Sequence, residues 1–206
     1  MKVLTYELGD LATNCYVLIN EETREAVAID VGDNGGFLLL EGLKNNFELK
    51  YILLTHGHFD HIGGVGVLYD KGVEVYIGEK ELEFIKNPNL NLGSYFGERV
   101  KPFNAKGVKD GDILNLCGIE IEVIETPGHT QGSVTYKVQN SLFCGDVLFD
   151  GSFGRVDFPT GDVKSLINSA KKLYKYKNCT LYSGHGGSTT TEKEEKSNPI
   201  NYYDRY

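Results

Sequence analysis

Apolar and polar residues alternate in short blocks along the first third of the chain, and most blocks stop at Gly or Asn. Residues 3–8, 15–19, 26–31 and 51–55 are rich in Val, Ile, Leu and Tyr, a pattern that predicts half-buried or buried β-strands. Between 33 and 46, Phe37, Leu38, Leu40 and Leu43 follow a helical spacing suited to the outer face of a sheet. Residues 62–69 predict another helix, 73–77 a strand and 79–86 a short helix. The strand pattern returns at 113–116 and at 119–125, where Ile119, Ile121 and Val123 alternate with Glu120 and Glu122. Strands at 133–138 and 142–144 precede an amphipathic helix at 163–174, with Val163, Leu166, Ile167, Ala170, Leu173 and Tyr174 on one side. A last short strand, 180–183, leads into His185.

Three stretches stand outside this pattern. Residues 87–104 carry Pro88, Gly93, Gly97 and Pro102, with Leu90, Leu92, Tyr95 and Phe96 among polar neighbours. Such a loop is either a cover over a site or a surface excursion anchored by its apolar residues. The charge run at 192–196 predicts a solvated helical turn. The tail, 198–206, holds three tyrosines, and nothing in the pattern says where they pack. No linker, composition break or repeat divides the 206 residues, so one domain is expected.

A net charge of −8 argues against a nucleic-acid partner, because phosphate binding needs clustered Lys and Arg. There is no apolar run of transmembrane length, and the first residues read at once as a strand, without the apolar stretch of a signal peptide. A cytoplasmic location with no membrane partner is therefore expected. Cys15, Cys117, Cys144 and Cys179 are widely separated and form no CxxC pair. They read as reduced, mostly buried strand residues, with a redox role for any one as the alternative.

Candidate chemistry concentrates in the histidines. Three of the five fall in Thr55-His56-Gly57-His58-Phe59-Asp60-His61. Imidazoles at i and i+2 can reach one metal from a tight turn after a strand, and Asp60 and His61 can turn toward a second beside it. The others sit in Thr126-Pro127-Gly128-His129-Thr130 and Ser183-Gly184-His185-Gly186, and Asp146 follows Gly145. These positions fall at strand ends and the loops beyond them, where a rigid scaffold can hold side chains convergent. A structural metal site would normally close with four ligands, often cysteines; a set of His and Asp without Cys points instead to catalysis.

Taken in order, Thr55–His61, Pro127-Gly128-His129-Thr130-Gln131-Gly132-Ser133, Gly145-Asp146 and Gly184-His185 resemble the motifs of the metallo-β-lactamase superfamily. With Asp30, in Ala28-Ile29-Asp30-Val31-Gly32, and Asn198-Pro199, the resemblance covers most of the chain. It implies an α/β fold, the four-layer αββα sandwich, with metals at one edge between the sheets. It also implies a residue assignment: His56, His58 and His129 to a first metal, Asp60, His61 and His185 to a second, Asp146 to both. Two divalent ions are implied, zinc first, with iron or manganese accepted by the same ligands. Asp30 is then implied to stand behind the ligands, orienting an imidazole or the hydroxide, unless it is an ordinary strand-end Asp.

The segment Gly145-Asp146-Val147-Leu148-Phe149-Asp150-Gly151-Ser152-Phe153-Gly154-Arg155-Val156-Asp157-Phe158 is similar to one in glyoxalase II-like enzymes, the hydroxyacylglutathione hydrolases. Those enzymes split S-D-lactoylglutathione, and the resemblance implies a dinuclear thioesterase in which a hydroxide shared by the metals attacks the thioester. Asp60 is the implied catalytic group, orienting the hydroxide or moving its proton while remaining a ligand. The 21 residues after His185 are too few for the C-terminal helical domain of the larger enzymes, so a short, single-domain type is expected. Substrate contacts then fall to Arg155, unless it only pairs with an acid such as Asp157, and to Tyr95 or Phe96, unless either only packs in its loop. The partner implied is a small-molecule thioester. Persulfide dioxygenases, which share the HxHxDH run and use one iron, are the alternative, followed by a lactonase or phosphodiesterase of the same superfamily.

Overall fold

A computed structural model describes residues 1–205, with side chains to Tyr203; Tyr206, the third tail tyrosine, lies outside the described residues. The first half lays down β1 (Lys2–Leu8), β2 (Thr13–Ile19), β3 (Glu25–Ile29), α1 (Gly35–Asn45) and β4 (Glu48–Leu54). Two short helices, α2 (Phe59–Ile62) and α3 (Val65–Tyr69), lead to β5 (Glu74–Gly78). A 3-10 turn (Glu79–Glu81), α4 (Gly93–Phe96) and β6 (Lys106–Val108) complete it. The second half contains β7 (Ile113–Leu116), β8 (Ile119–Glu125), β9 (Val134–Val138), β10 (Ser141–Gly145) and the hairpin β11 (Leu148–Phe149) and β12 (Ser152–Phe153). Then come α5 (Val163–Leu173), β13 (Thr180–Ser183), β14 (Thr189–Thr190), α6 (Thr191–Ser197) and a 3-10 segment (Pro199–Arg205).

One sheet runs β1-β2-β3-β4-β5-β6 and the other β14-β13-β10-β9-β8-β7. In the first, β3 to β6 are parallel; in the second, only β10 and β13 are. Strand alternation then sorts each apolar residue to one of two faces. On β4, Leu53 points between the sheets, while Ile52 and Leu54 join Leu38 of α1 and Leu68 of α3 on the outside. On β10, Phe143 points between the sheets, while Leu142 and Cys144 meet Leu166 and Leu173 of α5. Three apolar layers separated by two sheets are the αββα sandwich expected above. All four cysteines are buried and free. Among the described residues no helix is long and apolar enough to cross a membrane.

Phe143 is fully buried between the sheets, stacked on Tyr182 at 4.8 Å between centroids and tilted against Tyr16 at 5.3 Å. Phe143→Ala is expected to lower unfolding free energy by about 3–5 kcal/mol, read from urea denaturation.

Several elements differ from the sequence expectation. The helix expected over 62–69 is broken at Gly63-Gly64, where the chain presses on the loop after β3: the Gly64 amide donates to Val31 O at 2.9 Å. Of 79–86 only the first turn is helical. β6, β14 and the β11–β12 hairpin were not anticipated; at two or three residues each they are too short for a period to register. The run at 192–196 is helical, but Glu194 is fully buried and not solvated. It accepts from Thr189 Oγ1 at 2.6 Å, Asn198 Nδ2 at 2.7 Å and the Gly151 amide at 3.1 Å. Of the tail tyrosines, Tyr203 packs edge-on against Phe153 at 5.6 Å.

Candidate metal centre

The ends of β4, β10 and β13 meet along one edge of the sandwich, and the sheets are stitched there. The Val134 amide donates to Thr55 O at 2.8 Å, and the Asn14 amide to Gly184 O at 2.7 Å. Asn14 Nδ2 reinforces the second seam through Ser183 O at 3.0 Å and Gly186 O at 2.8 Å. Two glycines let the backbones come this close. A Cβ on Gly145, where φ is +51°, would sit 2.3 Å from Thr55 Oγ1, and one on Gly184 would sit 2.1 Å from Asp146 Oδ1. Gly184→Ala is accordingly expected to displace Asp146, with bound metal falling below the wild-type ratio in elemental analysis.

This edge gathers all five histidines with Asp60 and Asp146. His56 and His58 leave the end of β4, Asp60 and His61 lie on α2, and His129 hangs from the β8–β9 connection. Asp146 follows β10 and His185 follows β13. Three groups can each hold a cation, with ligand atoms inside 4.8 Å of one another: His56, His58 and His129; His56, His61 and Asp146; Asp60, His61 and His185.

In the first group, His58 Nδ1 lies 3.1 Å from His56 Nε2 and 2.9 Å from His129 Nε2. Two of these three nitrogens are fixed as lone pairs by what the opposite ring nitrogen does. Thr55 Oγ1 donates to Asp30 Oδ2 at 2.7 Å, so it accepts from His56 Nδ1 at 3.1 Å. His129 Nδ1 donates to Arg155 O at 2.7 Å. The same device orients the remaining pair: His61 Nδ1 donates to Asp30 Oδ2 at 2.9 Å, and His185 Nδ1 to Leu11 O at 3.1 Å. Acceptors behind the rings are what fixes the tautomer of a metal-binding imidazole. His58 is the exception, its Nε2 buried without a partner.

Around the second group, His185 Nε2 lies 3.3 Å from Asp60 Oδ2, and His61 Nε2 lies 3.5 Å from the same oxygen. Asp146 stands between the groups, its Oδ1 3.4 Å from His61 Nε2 and its Oδ2 3.6 Å from both His129 Nε2 and His185 Nε2. His61 Nε2 and Asp146 Oδ1 are buried with no hydrogen-bond partner. Orphaned buried groups are costly, and a cation satisfies both. Nitrogen and carboxylate donors suit borderline first-row divalent ions.

Electrostatics agree with that fit. Burial, reinforced by the neighbouring imidazoles, pushes His56 well below the ordinary value, and burial with His129 pushes His58 down to about 3. Both are therefore neutral at pH 7, the form in which an imidazole can ligate a metal. Burial opposes charge on His61 too, yet Asp60, Asp30 and Asp146 outweigh it and raise its pKa well above the usual imidazole range. Burial likewise opposes ionisation of Asp146, but His61, His129 and His185 overcome it and hold the carboxyl below its ordinary value. Three carboxylates around one ring demand positive charge here.

Asp30 also adopts a left-handed backbone, φ +54°, which lets one carboxylate reach the Thr55 amide at 2.8 Å, the Thr55 hydroxyl and His61. Such a conformation is uncommon outside glycine and carries strain at a site that needs it. Sequence reasoning missed Glu81. It is fully buried, and its two oxygens accept from the Gly57 amide at 2.9 Å and the Gly132 amide at 2.8 Å. Gly57 separates His56 from His58, and Gly132 lies in the loop carrying His129, so one carboxylate ties both loops. In the sequence Glu81 stands in the charged run Glu79-Lys80-Glu81 after β5, which gives no sign that this one acid is buried.

A cavity of about 490 Å³ opens beside the cluster. Phe96 lines it; Tyr95, expected as a substrate contact, does not, and is 66% exposed. On the single turn of α4, consecutive side chains diverge by about 100°. Arg155 lines the cavity but is held by Asp157, with Nε to Oδ1 2.7 Å and Nη2 to Oδ2 2.6 Å. The 87–104 loop therefore reaches the site through Leu92 and Phe96.

A profile of the Metallo-beta-lactamase superfamily matches residues 8–185. Hydroxyacylglutathione hydrolase GloC of Haemophilus influenzae is 34% identical over 199 residues, 91% of this chain and 92% of that protein. The crystal structure of BLEG-1 B3 metallo-beta-lactamase superposes with a TM-score of 0.90 at 35% identity, covering 97% of this chain and 99% of that one. TTHA1623 in a di-iron-bound form superposes with a TM-score of 0.86 at 33% identity, covering 96% and 100%. Fold, ordered motifs and full-length relatives converge, and the chain belongs to the metallo-beta-lactamase superfamily.

Proposed function

We propose that this chain is a dinuclear metal-dependent hydrolase acting as a thioesterase, on S-D-lactoylglutathione or a related small-molecule thioester. In this reading His56, His58 and His129 hold one ion, Asp60, His61 and His185 the other, and Asp146 serves both. Two divalent cations there would supply Lewis acidity and lower the pKa of a water to about 7. Zinc is the first choice, and the di-iron form of TTHA1623 keeps iron in view.

The observation that carries the choice of thioester is the chemistry of the cavity wall. Apart from Arg155, every titratable side chain lining it belongs to the His/Asp cluster. No separate acid among the described lining residues stands ready to protonate a leaving group. A thiolate, whose conjugate acid has a pKa of about 8.5, departs without one, whereas an alkoxide or amide nitrogen needs a proton. In this reading Asp60 holds a proton during turnover, supported by its Oδ2 accepting from Thr13 Oγ1 at 3.2 Å and lying 3.3 Å from His185 Nε2.

The test is metal analysis paired with turnover. Two ions per chain and hydrolysis of thioesters, with little action on β-lactams or lactones, are expected. One iron per chain with oxygen uptake on glutathione persulfide would overturn the reading in favour of a dioxygenase.

A further inference from the structure

The cavity beside the cluster has an unusual wall. Phe59, Phe96, Phe149, Phe153 and Phe158 line it, contributed by α2, α4, the β11–β12 hairpin and the segment that follows. Their rings press on each other and on the histidines: Phe59 meets Phe96 at 5.1 Å, Phe149 meets His185 at 6.0 Å and Phe158 meets His58 at 6.0 Å. An apolar group lying against these rings would be removed from water next to the reacting centre.

Charge on the same wall is nearly spent. Arg155 is the sole Lys or Arg among the described lining residues. Its guanidinium is engaged by both oxygens of Asp157 and lies over the Phe158 ring, 3.9 Å from the centroid. The adjoining depression is lined by four carboxylates, Asp10, Asp33, Asp60 and Glu98, against the single cation Arg99. Glutathione carries two carboxylates and one ammonium at neutral pH, and its excess negative charge, at the end remote from the thioester, finds no unengaged Lys or Arg on the cavity wall.

We infer that the cavity selects thioesters with an apolar or aromatic acyl group on an uncharged thiol, in preference to glutathione conjugates. This rests on the thioesterase reading and narrows its substrate class. In the reaction, water oxygen bonds to the acyl carbon and the C–S bond breaks with its electron pair on sulfur. One water hydrogen ends on the thiol, and the other is released from the carboxylic acid as it ionises. The phenylalanines position the acyl group and take no part in the bond changes.

The experiment compares metal-loaded protein on S-phenylacetyl- and S-acetyl-N-acetylcysteamine and on S-lactoylglutathione. The phenylacetyl ester is expected to exceed each of the others in kcat/KM by about tenfold or more, the scale of burying one apolar group. Phe96→Ala, at a half-exposed surface position, is expected to reduce the phenylacetyl-to-acetyl ratio several-fold, and Phe153→Ala provides a second variant. Calorimetric titration with the unreactive thioethers S-(2-phenylethyl)-N-acetylcysteamine and S-(2-phenylethyl)glutathione gives a readout independent of turnover, in loaded and metal-free protein alike. Tighter binding of the uncharged thioether supports the inference. Equal or tighter binding of the glutathione thioether, or a higher kcat/KM for S-lactoylglutathione, overturns it. Absence of any thioester turnover with both ions bound would instead overturn the thioesterase reading, and the titration would still decide what the cavity prefers.

Discussion

His58→Ala is expected to abolish turnover and reduce bound metal while leaving the fold largely intact. Its Nδ1 lies 3.1 Å from His56 Nε2 and 2.9 Å from His129 Nε2, so truncation removes one of three donors at a single point. The loss in kcat/KM should be on the order of 10³-fold or more, as for groups acting at the reacting centre. Beyond this cluster its only ring contacts among the described residues are with Phe84 at 6.2 Å and Phe158 at 6.0 Å, and its Nε2 makes no hydrogen bond. The urea midpoint of metal-free protein should therefore move only modestly, by an amount equivalent to about 1 kcal/mol. Normal thioester hydrolysis by the variant would remove His58 from the metal set.

Glu81→Gln is expected to separate activity from stability. The carboxylate accepts from the Gly57 and Gly132 amides with one oxygen each, but glutamine has a single oxygen and turns its NH₂ toward the other amide. One tie between the two loops is lost, and activity or metal affinity should fall about 10- to 100-fold, as when a group behind the ligands is removed. Burial pushes the Glu81 pKa up to about 7, against an ordinary 4.5. Between those values the folded protein binds the extra proton, so this group's contribution to stability falls as pH rises from below 4.5 through 7. The full excursion is worth roughly 3 kcal/mol. Urea denaturation of metal-free protein at pH 5 and pH 8 should show a smaller loss of stability with rising pH in the variant than in the wild type. An unchanged pH slope would show that Glu81 is not ionising inside the fold.

Much of this architecture could be read from residue order. Alternation at Ile119, Ile121 and Val123 marked a strand with one apolar face, and that face lies between the sheets. What alternation could not supply is which strands neighbour one another, so the seam joining β2 to β13 was invisible. At the centre the histidines and Asp146 were conspicuous by type and spacing. Between Tyr95 and Phe96 the sequence could not choose, because the direction of each side chain depends on a one-turn helix that no period reveals. Glu81 escaped notice because it sits in the charged run Glu79-Lys80-Glu81-Leu82-Glu83, which reads as a solvated turn; its role depends on two glycine amides from distant loops.

The hydrogen bond from Asn14 to Ser183 O joins positions 169 residues apart. A ribosome releases the two sides of that seam 169 residues apart. Until His185 emerges, the group of Asp60, His61 and His185 is incomplete, and under the proposed dinuclear reading a growing chain would lack the second ion's full ligand set. Cation uptake should thus be a post-synthetic event, and a nascent polypeptide stalled before Gly184 should release its ions to a mild chelator that the finished molecule resists.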